Sequence, residues 1–258
     1  MFLPGSLLFI LLAFVNFVQN NKEMGRAFEF RKARKFKRWA AMSKIFTRIG
    51  KEIAMAVKEG GADPDNNVRL RNAIQNSKAA NMPKDTVERA IKKASSKDQA
   101  DYKEVNYEGY APHGVALFVE TATDNTTRTV ANVRSYFNKL NGSLGTSGSV
   151  EFLFERKCNF KIEKGELDLE ELELELIDFG MEELFEEEEF IMIYGEFSEF
   201  GNIQRGLEHM GIPVVESAYE RLPLNTVDLN EEQQAEVVKL LERMEEDDDV
   251  LNVYHTMA

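Results

Sequence analysis

The sequence predicts an α+β, multi-domain fold: a helical N-terminal domain and two ferredoxin-like α+β domains, the third inserted in the second. Three observations carry this. Apolar residues recur at helical spacing up to about residue 97, and beyond the polar stretch Ser95–Ala100 the pattern changes to short strands. Within that second part, residues 157–223 spell βαββαβ, the split βαβ arrangement. The pieces flanking this unit, ββαβ before it and αβ after it, are each incomplete alone and make one domain together.

The elements follow in chain order. Met42, Ile45, Phe46, Ile49, Ile53 and Val57 line one face of a helix that stops at Gly60-Gly61. Asp63-Pro64-Asp65 marks a turn and a fresh helix start, with Leu70, Ala73, Ile74 and Ser77 facing inward. A third helix begins near Pro83 and carries Val87, Ala90, Ile91 and Ala94. Its C-terminal end is loaded with Lys92, Lys93 and Lys97, where the helix dipole favours cations. Strands are expected over 105–110 and 115–121, joined by the turn Ala111-Pro112-His113-Gly114. A helix capped by Asp124 or Asn125 follows, then the glycine-rich stretch Asn141–Ser149, leading into a strand over 150–154. The inserted unit places strands near 159–162, 182–187, 190–194 and 214–221, with helices through Leu169–Leu176 and Phe200–Met210. After Pro223 come a capped helix through Val237, Leu241 and Met244 and a last strand, Val250–Tyr254. The expected domains are therefore 24–97, 98–156 plus 224–258, and 157–223, with two sequence-adjacent α+β domains in series as the alternative.

Charge is split by position. Residues 22–97 carry 20 Lys and Arg against 8 Asp and Glu, a balance of +12, whereas residues 98–258 carry 12 against 37, a balance of −25. A basic head can sit on phosphates while an acidic body keeps the molecule in solution. The densest segment is Arg31-Lys32-Ala33-Arg34-Lys35-Phe36-Lys37-Arg38-Trp39, in which Phe36 and Trp39, like Phe28 and Phe30 before them, can stack on bases or anchor the arm. Residues 1–23 have a different character. Leu7–Val18 is apolar but short for a membrane span and lacks the basic flank of a secretory signal. Translation from Met24 is the expectation, with a membrane anchor and a degraded signal peptide as alternatives.

Several chemistries are disfavoured. A single cysteine, Cys158, excludes an internal disulfide and a Cys-based zinc site. The glycine-rich stretch has no Gly-Lys-Ser/Thr ending and precedes a strand, so a phosphate loop is not expected. His113, His209 and His255 lie on different elements, without the spacing of a metal site or a base. The carboxylate runs Glu186–Glu189 and Glu245–Asp249 read as solvated charge; a metal-dependent enzyme built on them is the third-ranked alternative. No cofactor, no metal and no enzymatic activity are expected.

From Met24 onward the chain resembles the YebC/PmpR family, relatives of the mitochondrial translational activator of cytochrome c oxidase subunit one. The residues that carry the likeness are Lys44-Ile45-Phe46-Thr47-Arg48, Gly60-Gly61-Ala62-Asp63-Pro64-Asp65-Asn66 and Asn81-Met82-Pro83-Lys84-Asp85-Thr86. Further along they are Tyr107-Glu108-Gly109-Tyr110, Thr123-Asp124-Asn125 with Arg128-Thr129-Val130, Leu144–Val150, and the ending from Asp248 to His255. The resemblance implies a cytoplasmic protein of three domains. It also implies one of two roles: DNA-binding transcriptional regulator, or ribosome-linked translation factor. Many bacterial members open with Gly-His-Ser-Lys-Trp; here Gly25-Arg26-Ala27-Phe28-Glu29 stands instead, so only the basic character of that opening carries over.

The expected function is nucleic-acid-binding regulation of gene expression, as a DNA-binding transcriptional regulator. The alternative is a ribosome-associated translation factor that binds ribosomal RNA. The expected contact residues are Arg26, Arg31, Lys32, Arg34, Lys35, Lys37, Arg38, Lys44 and Arg48. With no convincing helix-turn-helix, they would meet mainly the phosphate backbone. Partners are DNA or ribosomal RNA, with no small-molecule substrate, and a membrane partner is disfavoured.

Overall fold

The computed structural model describes residues 42–96 and 101–258. Two compact units divide the chain, and the second, Phe46–Ala258, holds both sheets and the helices packed on them. The fold is α+β.

The helical part comprises α1 (residues 42–60), α2 (Val68–Ala79) and α3 (Lys84–Ala94). Their inward faces supply one core: Ile49, Ile53, Val57, Leu70, Ala73 and Val87 are all buried. The start of α2 lies later than Asp63-Pro64-Asp65 suggests. Those residues form the turn, in which the Asp63 carboxylate accepts from the Asp65 backbone N–H (3.1 Å) and the Asn66 side chain (2.6 Å). Asn67 is the N-cap, its Oδ1 accepting from the Leu70 N–H at 3.0 Å.

The first sheet is antiparallel, with strand order β3-β1-β2-β8: β1 (Lys103–Tyr110), β2 (Ala116–Thr123), β3 (Ser143–Leu144) and β8 (Val250–His255). The helices α4 (Thr126–Lys139) and α7 (Glu231–Glu245) cover one face through Leu117, Val119, Val133, Phe137, Leu240 and Met244. The opposite face of β2 is also filled, with Ala116 and Phe118 packed on Val150 and Phe154, and Ala122 on Met55 of α1. Burial on both sides explains why β2 reads Ala-Leu-Phe-Val with little alternation. Asn230 caps α7 in a reciprocal capping box with Gln233.

The second sheet is also antiparallel, with order β5-β6-β4-β7: β4 (Phe154–Glu163), β5 (Met181–Glu187), β6 (Phe190–Glu196) and β7 (Val214–Pro223). The helices α5 (Leu169–Ile177) and α6 (Phe200–His209) cover one face, enclosing Cys158, Phe160, Ile162, Ile191, Ile193 and Leu207. This is the βαββαβ arrangement, and the polypeptide enters and leaves it from the first sheet, since β8 pairs with β2.

One expected strand is misplaced. Residues 150–154 are not the third strand of the first sheet: Glu151–Leu153 is a 3₁₀ turn, and Phe154 already begins β4. The edge strand is instead the two-residue β3, whose Leu144 pairs with Gly109. Gly109 makes that approach possible, because a Cβ there would lie 2.4 Å from the Ser143 carbonyl oxygen. Among the described residues no helix is long and apolar enough to cross a membrane.

Candidate nucleic-acid interface

Arg26, Arg31, Lys32, Arg34, Lys35, Lys37 and Arg38, with Phe28, Phe30, Phe36 and Trp39, lie outside the described residues, as do residues 1–23. Lys44 belongs to the helical residues 42–45. Arg48 of α1 is half-buried, and its Nη2 donates to the backbone carbonyl of Glu245 (3.4 Å). Cations that the expected contact set does not include stand on the two following helices. Arg71 and Lys78 of α2 and Lys92 and Lys93 of α3 are exposed, with no ion-pair partner among the described residues. The sequence signal that bears on the last two is the cationic C-terminal end of α3. Arg69, by contrast, is engaged by Glu59 (2.7 Å) and by Glu104.

Buried polar contacts join these helices to the sheets. Lys51 of α1 is buried, and its ammonium donates to the carbonyls of Ala122 (2.8 Å) and Asp248 (2.6 Å) and to Asp249 Oδ1 (2.9 Å). The other oxygen of Asp249 accepts from Arg128 Nη2 (2.6 Å) and Thr129 Oγ1 (2.9 Å). Burial alone would raise the pKa of this carboxyl, but hydrogen bonds from Arg128, Lys51 and Thr129 hold it down at about 2. Asp247 beside it accepts from Asn132 (3.1 Å) and from the Tyr136 hydroxyl (2.8 Å). The run 245–249 is thus not simply solvated charge: Asp247 and Asp249 are internal acceptors for α1 and α4. Glu186–Glu189, in contrast, sits exposed around the β5–β6 turn, with Glu186 paired to Lys164. Among the described residues no group of three or more His, Cys, Asp or Glu is placed to hold a metal ion.

Two further contacts fix the helices. Asn67 is buried, and its Nδ2 donates to the carbonyls of Ala56 (2.7 Å) and Gly61 (2.8 Å), so one side chain ties the end of α1 to the start of α2. Asn76 of α2 exchanges two hydrogen bonds with the Ser217 backbone on the edge strand β7 (2.8 and 3.1 Å). Glu52 of α1 feels charges from the helices and from both sheets. Burial lifts its pKa to about 7, against the pull of Arg69 and Arg48, with Glu104 and Glu216 adding to the rise.

The glycine-rich loop does hold an anion, but one supplied by the chain itself. Buried Glu108 of β1 accepts from the backbone N–H groups of Gly148 (2.6 Å), Val150 (2.8 Å) and Glu151 (2.9 Å). Burial acts to raise its pKa, and the three amide donors outweigh it, so the carboxyl lies below its usual value. Gly148 takes φ 82°, a conformation that suits glycine. Thr146 and Ser147 at the tip remain exposed.

These particulars give several of the quoted motifs a structural task, and the comparisons with known proteins decide the family. Residues 26–97 match the TACO1/YebC protein N-terminal domain, and residues 102–257 match the TACO1/YebC second and third domain. The chain belongs to the TACO1/YebC family. It is 65% identical over 234 residues to a "Probable transcriptional regulatory protein" of Flavobacterium johnsoniae, covering 91% of this chain and 99% of that one. A protein of the same name from Porphyromonas gingivalis is 61% identical over 235 residues, with 91% and 97% covered. The crystal structure of a conserved hypothetical protein from Aquifex aeolicus superposes with a TM-score of 0.73 at 40% identity, over 84% of this chain and 90% of that one. In this TACO1/YebC chain, Tyr107-Glu108-Gly109 combines a core ring, the carboxylate that organises a loop, and the glycine that admits β3.

Proposed function

We propose that this chain regulates gene expression by binding DNA as a transcriptional regulator. The contacts are Arg26, Arg31, Lys32, Arg34, Lys35, Lys37, Arg38, Lys44 and Arg48, and the exposed cations of α2 and α3 extend them. The observation that carries the reading is the charge split, +12 over residues 22–97 and −25 over residues 98–258. Neutralising phosphates with the head releases counterions, while the carboxylates of the body repel the same polyanion and confine contact to one end. Relatives named as transcriptional regulatory proteins support the regulatory role.

In this reading the protein works in the cytoplasm with no cofactor and no catalytic step, and its domains are 24–97, 98–156 plus 224–258, and 157–223. Backbone contacts dominate, so sequence preference is modest. The test is crosslinking in cells followed by sequencing of bound DNA and bound RNA. Enrichment at discrete promoters is the expected result. Enrichment in ribosomal RNA, with promoters at background, would replace transcription by translation as the level of control.

A further inference from the structure

The face of the second sheet turned away from α5 and α6 carries a feature that nucleic-acid binding does not use. Residues alternating with the buried set, among them Asn159 and Lys161 on β4, Tyr194 on β6 and Glu220 on β7, line a recess of about 320 Å³ where this face meets β8. Tyr194 and Tyr254 contribute aromatic surface to it, whereas Tyr219 turns its ring to Phe200 on the opposite face.

One of its carboxylates, that of Glu220, is oriented by neutral groups. Glu220 Oε2 accepts from Asn159 Nδ2 (2.8 Å) and the Tyr194 hydroxyl (3.0 Å). Among the described residues no cation lies within ion-pairing distance of Glu220 or of exposed Glu216. The cation in the lining, Lys161, instead lies over the Phe190 ring, 4.2 Å from its centroid. On the neighbouring strand β5, Glu183 and Glu187 pair across to Tyr194 and Phe190, which adds negative charge to the same face. An oriented carboxylate beside tyrosine rings, with further negative charge around it, suits a planar cation that can stack on a ring while its N–H fork meets an oxygen. Phosphate would meet repulsion here.

We propose that this recess is a docking site for an arginine side chain in a basic segment of a partner protein. The lining comes from β4, β6, β7 and β8 and includes none of the residues expected to contact nucleic acid, so the two bindings use different side chains. The test uses the full chain and a fluorescent peptide of alternating arginine and glycine, read by anisotropy at near-physiological salt. Glu220→Gln is nearly isosteric and should weaken binding about tenfold, the loss of one charge-assisted contact. Tyr194→Phe, which keeps the ring and removes the hydroxyl that orients Glu220, should lie in between. Glu175→Gln removes the same charge from the exposed side of α5, on the covered face, and should change affinity by less than about twofold, as for a screened surface charge. Equal losses for Glu220→Gln and Glu175→Gln would overturn the proposal in favour of a diffuse acidic field. So would displacement of the peptide by a single-stranded RNA whose own binding falls on Tyr194→Ala.

Discussion

Asp249 shows how much one side chain can hold. It faces Lys51 from α1 on one oxygen and Arg128 and Thr129 from α4 on the other, and only 7% of its side chain is exposed. Removing one partner of a buried pair leaves the other charge uncompensated, which costs about 3–5 kcal/mol. Asp249→Asn should therefore lower unfolding free energy by that order in urea titrations. The pH dependence has a definite sign. The folded pKa, about 2, lies below the ordinary 3.8, so the stabilisation is complete above the ordinary value and is lost as pH falls towards 2. The variant should lack this acid limb. Glu52 has the opposite sign, its pKa raised from 4.5 to about 7. Its contribution is fully present below pH 4.5 and is lost as pH rises through about 7. Glu52→Gln should melt above the parent chain at pH 8 and together with it near pH 4.5; a lower melting temperature at pH 8 would refute the buried-carboxylate account. Neither residue was legible beforehand. Lys51 and Asp249 stand 198 positions apart, and a local run of acids gives no sign of which member turns inward.

Among elements, those with a strong period were legible. Helices α4 to α7 and strands β4 to β7 lie where apolar spacing places them, because a buried stripe or face must repeat with the backbone. Two boundaries were not. β3 spans only Ser143–Leu144, too short to show alternation, and it exists because Gly109 lets the chains approach. The stretch before β4 looks strand-like because Val150 and Phe154 are core residues, yet a 3₁₀ turn separates them and only Phe154 belongs to a strand, as the first residue of β4. The loop between them depends on Glu108. Glu108→Ala deprives three amides of their acceptor, and hydrogen exchange at Gly148, Val150 and Glu151 should accelerate by about tenfold or more, while Val119 in the sheet centre stays protected. Unchanged exchange at those amides would mean that the loop is ordered by its other contacts.

At the scale of the whole molecule, the order of elements and the charge split were both visible in the chain. The first follows from one unit interrupting another, and the second needs no coordinates at all. What could not be read was how α1 and α2 are fastened to each other and to the sheets, since Lys51, Asn67 and Asn76 work largely through backbone carbonyls and amides that no motif advertises. Those contacts fasten α1 and α2, and the sequence carries its excess of cations before residue 98 and its excess of carboxylates after it, a polarity of charge along the chain. The central claim is that this polarity directs nucleic acid to the basic head. It is tested most directly by the affinity of the full chain for duplex DNA as a function of salt. With about five head cations on phosphates, log affinity should fall against log salt with a slope of roughly −4 to −5. Replacing Arg31, Lys32, Arg34, Lys35, Lys37 and Arg38 together by alanine should remove most of that slope. An unchanged slope in that variant would contradict the account, because the phosphates would then be met elsewhere.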